Sequence, residues 1–193
     1  MFEKLLSFFE RHLPLTDAQA AFAKTLFIPK KVKKGEILLR EGDMCKYSMF
    51  VAYGCLRTYT IDNRGKEHIL QFSPEDWWTG DMSSFVNGVP SQSFIDAIED
   101  SEVLLFDSAS LRKFIEQVPD SAVMFQTALQ KSVAASNQRI FSSMSATAEE
   151  RYNEFIKKHP SLLQRVPQHM IASYLGISPE TLSRIRKRQS RKQ

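Results

Sequence analysis

The residues whose types and spacing could do chemistry stand close together at 167–188, in the run PQHMIASYLGISPETLSRIRKR. Met170, Ile171, Tyr174 and Leu175 fall on one helical face, Gly176 permits the left-handed residue of a tight turn, and Ile177 is an apolar anchor between two helices. Ser178 is placed as an N-cap, and Pro179 takes the first helical position, where its missing N–H costs nothing. Leu182 and Ile185 then form an inward face, which leaves Glu180, Thr181, Arg184, Lys187 and Arg188 outside. The pattern is that of a helix-turn-helix: the second helix offers its N-terminal side chains to a major groove, and its basic end lies near phosphates. Two packed helices around a glycine turn occur throughout all-α proteins, so the charge is an independent second observation. Residues 184–193 hold Arg184, Arg186, Lys187, Arg188, Arg191 and Lys192 with no acidic residue, whereas a solvated face mixes signs.

This concentration is hidden in the sum. The 193 residues carry 26 Lys plus Arg and 22 Asp plus Glu, a net charge of only +4. Residues 151–193 contribute ten of the basic groups against Glu154 and Glu180, a surplus of +8, so residues 1–150 are at −4. An acidic body with a basic end suits a polyanion-binding module at 146–193. With 42% hydrophobic and 25% charged residues the chain can bury a core, which excludes a disordered or fibrous protein, and the length allows one large or two small domains.

Other chemistries are poorly served. Cys45 and Cys55 are too few for a disulfide scaffold, an iron–sulfur cluster or a zinc site and read as thiols in a reducing cytosol. A metal-dependent enzyme on a jelly-roll barrel would need imidazoles, but of His12, His68, His159 and His169 only one falls in the strand region. No Ser-His-Asp, Cys-His or glycine-rich phosphate-loop arrangement is present, so no catalytic, metal or cofactor residues are assigned and the chain is not expected to be an enzyme. The run MFEKLLSFFERHL is interrupted by charges and reads as an amphipathic helix rather than a secretory signal. No stretch is apolar enough to span a bilayer, so a cytoplasmic protein without membrane contact is expected.

Three changes of texture place the elements. Residues 1–27 are helical, with Phe2, Leu5, Leu6 and Phe9 on one face and a second helix opened by Thr16 and Gln19 in capping-box spacing. From Ile28 to Asp107, short runs at 37–40, 48–61, 67–72, 93–98 and 103–106 alternate with turn signals, which predicts an antiparallel β-barrel or jelly roll. A short helix at 109–117 follows. Residues 121–144 then lack Gly and Pro and place Ala122, Phe125, Leu129, Val133, Ser136, Ile140 and Met144 three or four apart, a helix of roughly 36 Å. Its stripe either lies on its own barrel or pairs with the same helix of a second subunit, and an 80-residue barrel is too small to cover all of it. Thr147 and Glu150 cap a further helix that ends at His159-Pro160, which makes Ser145-Ala146 a joint. The expected fold is thus α+β: a barrel with N-terminal helices over 1–118, a dimerisation helix over 119–145 and a helical helix-turn-helix domain over 146–193.

At LGISPETLSRIRK the sequence resembles the Crp-Fnr family of bacterial transcription regulators, whose pattern there is L-x-[CIL]-S-x-E-T-[VL]-S-R-x-[LI]. The resemblance extends over nearly the whole chain. It implies a cyclic-nucleotide-binding-type barrel, a homodimer, double-stranded DNA and RNA polymerase as partners, and Glu180, Thr181 and Arg184 as major-groove readers with Gln168 on the phosphate backbone. Pro179 stands where relatives often carry a polar contact, so one base contact is expected to be absent. The barrel departs from the family's phosphate-binding cassette. In the stretch around Gly80 and Asp81 the aspartate replaces a glutamate, and in Ser91-Gln92-Ser93-Phe94 the glutamine stands where the phosphate-binding arginine would be. A buried phosphodiester without its cation forfeits a charge-assisted contact of ~1.5–3 kcal/mol, so cyclic AMP is not the expected ligand. Ser136 and Asn137 fall where base-contacting residues would lie. Gly80, Asp81, Gln92, Ser93, Ser136 and Asn137 therefore mark either a pocket for an unidentified small-molecule effector or a degenerate pocket filled by Phe94 and Trp77 or Trp78. A β-hairpin wing beyond the recognition helix is expected to be reduced, with the tail RKRQSRKQ free to follow phosphates. The competing functional reading is a ligand-sensing or protein-interaction module that does not bind DNA.

Overall fold

The computed structural model describes residues 1–190. Helices α1 (Phe2–His12) and α2 (Asp17–Leu26) precede eight strands: β1 (Ile28–Val32), β2 (Ile37–Leu39), β3 (Tyr47–Tyr53), β4 (Leu56–Ile61), β5 (Glu67–Ser73), β6 (Trp78–Thr79), β7 (Phe94–Ala97) and β8 (Ser101–Asp107). A one-and-a-half-turn helix α3 (Met82–Asn87) lies between β6 and β7. After the strands come α4 (Ser108–Gln117), α5 (Asp120–Ser145), α6 (Ala148–Lys158), a 3-10 turn at Pro160–Leu162, α7 (Gln168–Leu175) and α8 (Pro179–Ser190). Both capping boxes read from the sequence form: Thr16 with Gln19 opens α2, and Thr147 with Glu150 opens α6.

The strands make two antiparallel four-stranded sheets, β1-β8-β3-β6 and β2-β7-β4-β5. Val32, Leu39, Met49, Val51, Leu56, Ile95, Ala97 and Val103 fill the space between them. The apolar run at 48–61 proves to be two strands. Gly54 sits at the bend with φ of +89°, and a Cβ there would come within 2.2 Å of the Ser101 hydroxyl oxygen, so only glycine admits the turn. Strands β1 and β6 carried no distinct pattern of their own: β1 is IPKKV, mostly exposed, and β6 is two residues long.

Each sheet also has a covered outer face. Phe50, Ala52, Leu104 and Phe106 of the first sheet pack against Leu5, Phe8 and Phe9 of α1, Phe114 of α4 and Phe125 near the start of α5. Tyr59, Ile69 and Phe72 of the second sheet share one core with Tyr152, Phe155, Leu162, Val166, Ile171 and Leu175 of the C-terminal helices. A buried ion pair strengthens this second face: Arg57 on β4 donates Nε–H and Nη2–H to both oxygens of Asp96 on β7, at 2.7 and 2.9 Å, and stacks over the Tyr59 ring.

Helix α5 is 26 residues, about 39 Å long. Beyond Phe125 its apolar stripe is uncovered, with Leu129, Val133, Ile140, Phe141 and Met144 exposed, the last by 84%, while Arg139 donates to the Leu70 carbonyl and lies over the Tyr174 ring and Ser142 is buried. Of the two ways to cover its stripe, lying on its own barrel is thus not the one adopted. Among the described residues no helix is long and apolar enough to cross a membrane, and no strand follows β8. The basic tail runs as helix to Ser190; Arg191, Lys192 and Gln193 lie outside the described residues.

Candidate nucleic-acid interface

The reading unit is built from three helices. Helix α7 ends at Gly176, whose φ of +66° and ψ of +36° are left-handed; the Gly176 N–H reaches the Ser173 carbonyl at 3.0 Å and the Ile177 N–H the Ala172 carbonyl at 3.0 Å. Two residues later the Ser178 hydroxyl oxygen accepts the Thr181 N–H at 3.2 Å, the N-cap that starts α8. Buried Leu182 and Ile185 fix the roll of α8 against α6 and α7. Arg151 on α6 secures the ends of two helices, donating to the Ala146 carbonyl at 2.8 Å and the Leu175 carbonyl at 3.1 Å. The angle of α8 is therefore set by a glycine, a serine cap and one arginine.

On this frame Glu180, Arg184, Arg186, Lys187 and Arg188 are exposed and Thr181 is half-buried. Thr181 is held in place: its hydroxyl oxygen accepts from Ser178 and from Arg184 Nη2, each at 3.2 Å. Arg184 is pre-aimed by that contact yet keeps most of its donor fork open. A fork of this kind fits the O6/N7 edge of guanine, and a carboxylate such as Glu180 accepts from the cytosine amino group. Arg188 is engaged differently, being paired with Glu149 on α6, while Gln189 donates to Asn153 at 2.6 Å. The end of α8 is thus tied down, with Arg186 and Lys187 exposed beside it and in no ion pair among the described residues. Gln168 opens α7, half-buried, with its side-chain oxygen lacking a hydrogen-bond partner.

The barrel cassette contrasts with this. Asp81 caps α3 by accepting the Ser84 N–H at 3.0 Å, and its other oxygen accepts the Ser91 hydroxyl at 2.8 Å and the Gln92 N–H at 3.4 Å. Burial opposes its charge, but these donors outweigh burial and hold the carboxyl below its usual range. Ser93 is buried, with its N–H and carbonyl both bonded to the Ser91 hydroxyl. Gln92, Ser136 and Asn137 are exposed. Two open grooves of the barrel, one beside Lys31, Tyr53 and Asp100 and one beside Lys30, Cys45 and Tyr47, include none of the six expected pocket residues. The aromatic filling expected of a degenerate pocket is not what these rings provide. Phe94 stacks on Tyr59 at 5.2 Å on the outer face of its sheet, because β7 alternation sends Ile95 inward instead. Trp78 joins Phe8, Phe27 and Phe50, and Trp77 lies beside His159, whose pKa burial pushes down. Both thiols are buried, and burial raises that of Cys55 to about 12, which leaves it inert near neutral pH.

Sequence reasoning missed a third set. Arg165 with Glu75 and Glu99, and Ser173 with Glu67, join the C-terminal helices to the barrel, yet the partners stand 66 to 106 positions apart and belong to no local pattern.

A two-sheet β-roll followed by a long exposed helix and a helix-turn-helix defines the class by its architecture. Residues 29–118 match the family model of the cyclic nucleotide-binding domain. The chain is 25% identical over 169 residues to electron transport regulator A of Shewanella oneidensis, covering 81% of this chain and 66% of that one. It is 24% identical over 170 residues to the transcriptional activator protein anr of Pseudomonas aeruginosa, covering 81% and 68%. It spans about two thirds of the length of these relatives. Among solved structures, FixK2 from Bradyrhizobium japonicum superposes with a TM-score of 0.76 at 20% identity, covering 86% of this chain and 85% of that one. The catabolite activator protein of Thermus thermophilus gives 0.60 at 20% identity over 96% and 87%. Over most of its length the chain is thus similar to transcription regulators of the Crp-Fnr type.

Proposed function

We propose that the protein is a homodimeric, sequence-specific DNA-binding transcription regulator whose two α8 helices read successive major grooves. In this reading residues 1–118 are a sensor-type domain, 119–145 the dimerisation helix and 146–193 the DNA-binding domain. The observation that carries it is the outer face of α8: a helix fixed in angle by Gly176, the Ser178 cap and Arg151, on which Glu180 and Arg184 are exposed, Arg184 bonded among the described residues only to Thr181 and Glu180 held as a carboxylate by Ser178 and the nearby Arg184. Glu180, Thr181 and Arg184 contact base edges, Ser178 sets the helix start at the groove, and Gln168, Arg186 and Lys187 lie on phosphates. Arg188 contributes through its pairing with Glu149 and its field. The uncovered stripe Leu129, Val133, Ser136, Ile140 and Met144 repeats every three or four residues, as expected of a face that packs on its own copy across a dyad. Two heads related in this way would read half-sites about one helical turn, ~34–36 Å, apart. A regulator so built acts in the cytoplasm, with RNA polymerase as its further partner.

Cyclic AMP is not its effector in this reading, because Gln92 offers no cation and Asp81 already has its oxygens engaged; an effector, if there is one, is a different small molecule. The test is selection of bound duplexes from a random pool by the full chain, with and without cyclic AMP, with sedimentation in parallel. A two-fold-symmetric consensus, unchanged by cyclic AMP, and a dimer are expected. A monomer without salt-dependent DNA affinity would overturn the reading and leave the chain as a module that does not bind DNA.

A further inference from the structure

The DNA-reading helices join the rest of the molecule through one covalent crossing at Ser145-Ala146-Thr147, where Ala146 leaves the helical conformation. A single joint cannot fix an orientation, so the direction in which α8 points depends on noncovalent contacts with the barrel. Beside the apolar core shared with the second sheet, the most directional of these centres on Arg165, in the connection before α7. Its Nη1 and Nη2 donate to the two oxygens of Glu75 at 2.9 and 2.7 Å, and its Nε donates to Glu99 at 3.0 Å. Glu75 is itself held by the Gly54 N–H at 3.0 Å, at the β3–β4 bend that only glycine can form. A planar fork clamped by two carboxylates from two different loops permits little rotation. A second anchor lies on β5, an edge strand of its sheet: the Ser173 hydroxyl of α7 accepts the Ile69 N–H at 3.0 Å and donates to the Glu67 carbonyl at 3.1 Å, filling a free ladder position. Between the anchors Phe72 packs on Tyr174 and Phe155, at 5.3 and 6.2 Å. None of these groups belongs to the reading face of α8, so the docking orients that face without covering it.

We propose that Arg165 is a positioning residue for DNA recognition: its pairing with Glu75 and Glu99 latches each helix-turn-helix to its own barrel and so sets the separation of the two reading helices in the dimer. The proposal rests on the DNA-reading function above. The latch makes a distinct demand on binding data. A released head still recognises its half-site but no longer insists on one spacing between half-sites.

The test compares the full-length wild type with Arg165→Ala, Arg165→Lys and the double variant Glu75→Gln/Glu99→Gln. Duplexes carry the selected half-sites at spacings changed in single base-pair steps. The wild type is expected to prefer one spacing by at least about tenfold; Arg165→Ala and the double variant should flatten that preference to within about threefold while holding single half-site affinity within about twofold, and Arg165→Lys should recover part of it. Spin labels on Glu41→Cys and Lys157→Cys, one on the barrel and one on α6, give a readout that needs no DNA. A narrow distance distribution in the wild type that broadens with Arg165→Ala supports the latch. An unchanged narrow distribution, or an unchanged spacing preference, overturns it. If the wild type bound no duplex, the DNA-reading function would fall while the distances still decided the latch.

Discussion

The chain holds two polar constellations that a regulator of this family would use, and they differ in where their hydrogen bonds go. Around Asp81 each polar group points inward: the carboxylate caps α3 and gathers the Ser91 hydroxyl and the Gln92 N–H, and Ser93 is closed on Ser91. Around Arg184 the bonds are fewer: Thr181 holds one end of the donor fork, Ser178 and the Arg184 charge favour the ionised Glu180, and both side chains remain exposed. A ligand site needs groups that are oriented but unsatisfied. By that criterion the groups around Asp81 are scaffold, and α8 presents the open groups that the proposed DNA contact requires.

The contrast can be broken most forcefully where the barrel is most dependent on its internal pairing. Asp96→Ala leaves the Arg57 guanidinium buried and without its principal partner, and unfolding should become easier by ~3–5 kcal/mol, measured by urea denaturation. Arg184→Ala should behave oppositely: a loss of ~1–3 kcal/mol in binding the selected duplex and a relaxed preference at one base position, with folding stability within about 0.5 kcal/mol of wild type. Asp81→Ala removes a cap and strands the Ser91 hydroxyl, costing ~1–2 kcal/mol of stability with half-site recognition intact. The same group gives a pH signature. Its folded pKa is depressed, so its contribution is fully present above the unfolded value near ~3.9 and is lost as pH falls through the lower folded value. Asp81→Asn should flatten that limb of the acid titration. The smallest effect is expected from cyclic AMP, which should leave the thermal midpoint unchanged at millimolar concentration; a rise would show that the cassette still accepts a phosphodiester.

Much of α8 was legible because its signals are local. Gly176, Ser178, Pro179, Leu182 and Ile185 lie within ten residues, and each acts through its own backbone position or face. The helices other than α3, which carried no helical pattern of its own, both capping boxes and the long α5 could be read for the same reason. The division of 48–61 depended on Ser101 pressing on Gly54, and the inward or outward sense of Phe94 on the register of β7 against β4; both are set by partners dozens of residues away. The latch shows this limit most clearly, since Arg165 carries no mark in sequence that separates it from other surface arginines until Glu75 and Glu99 are brought to it.

The central claim is that the open face of α8 reads DNA as part of a dimer. The most direct measurement is fluorescence anisotropy of a labelled duplex bearing the selected two-fold site, titrated with the full chain at salt concentrations from about 50 to 200 mM, beside Arg184→Ala. Saturable binding of one dimer per duplex is expected, with an affinity that falls linearly on a log–log salt plot and a loss of about 5- to 150-fold in Arg184→Ala. Binding that ignored salt, or that Arg184→Ala left unchanged, would contradict that claim.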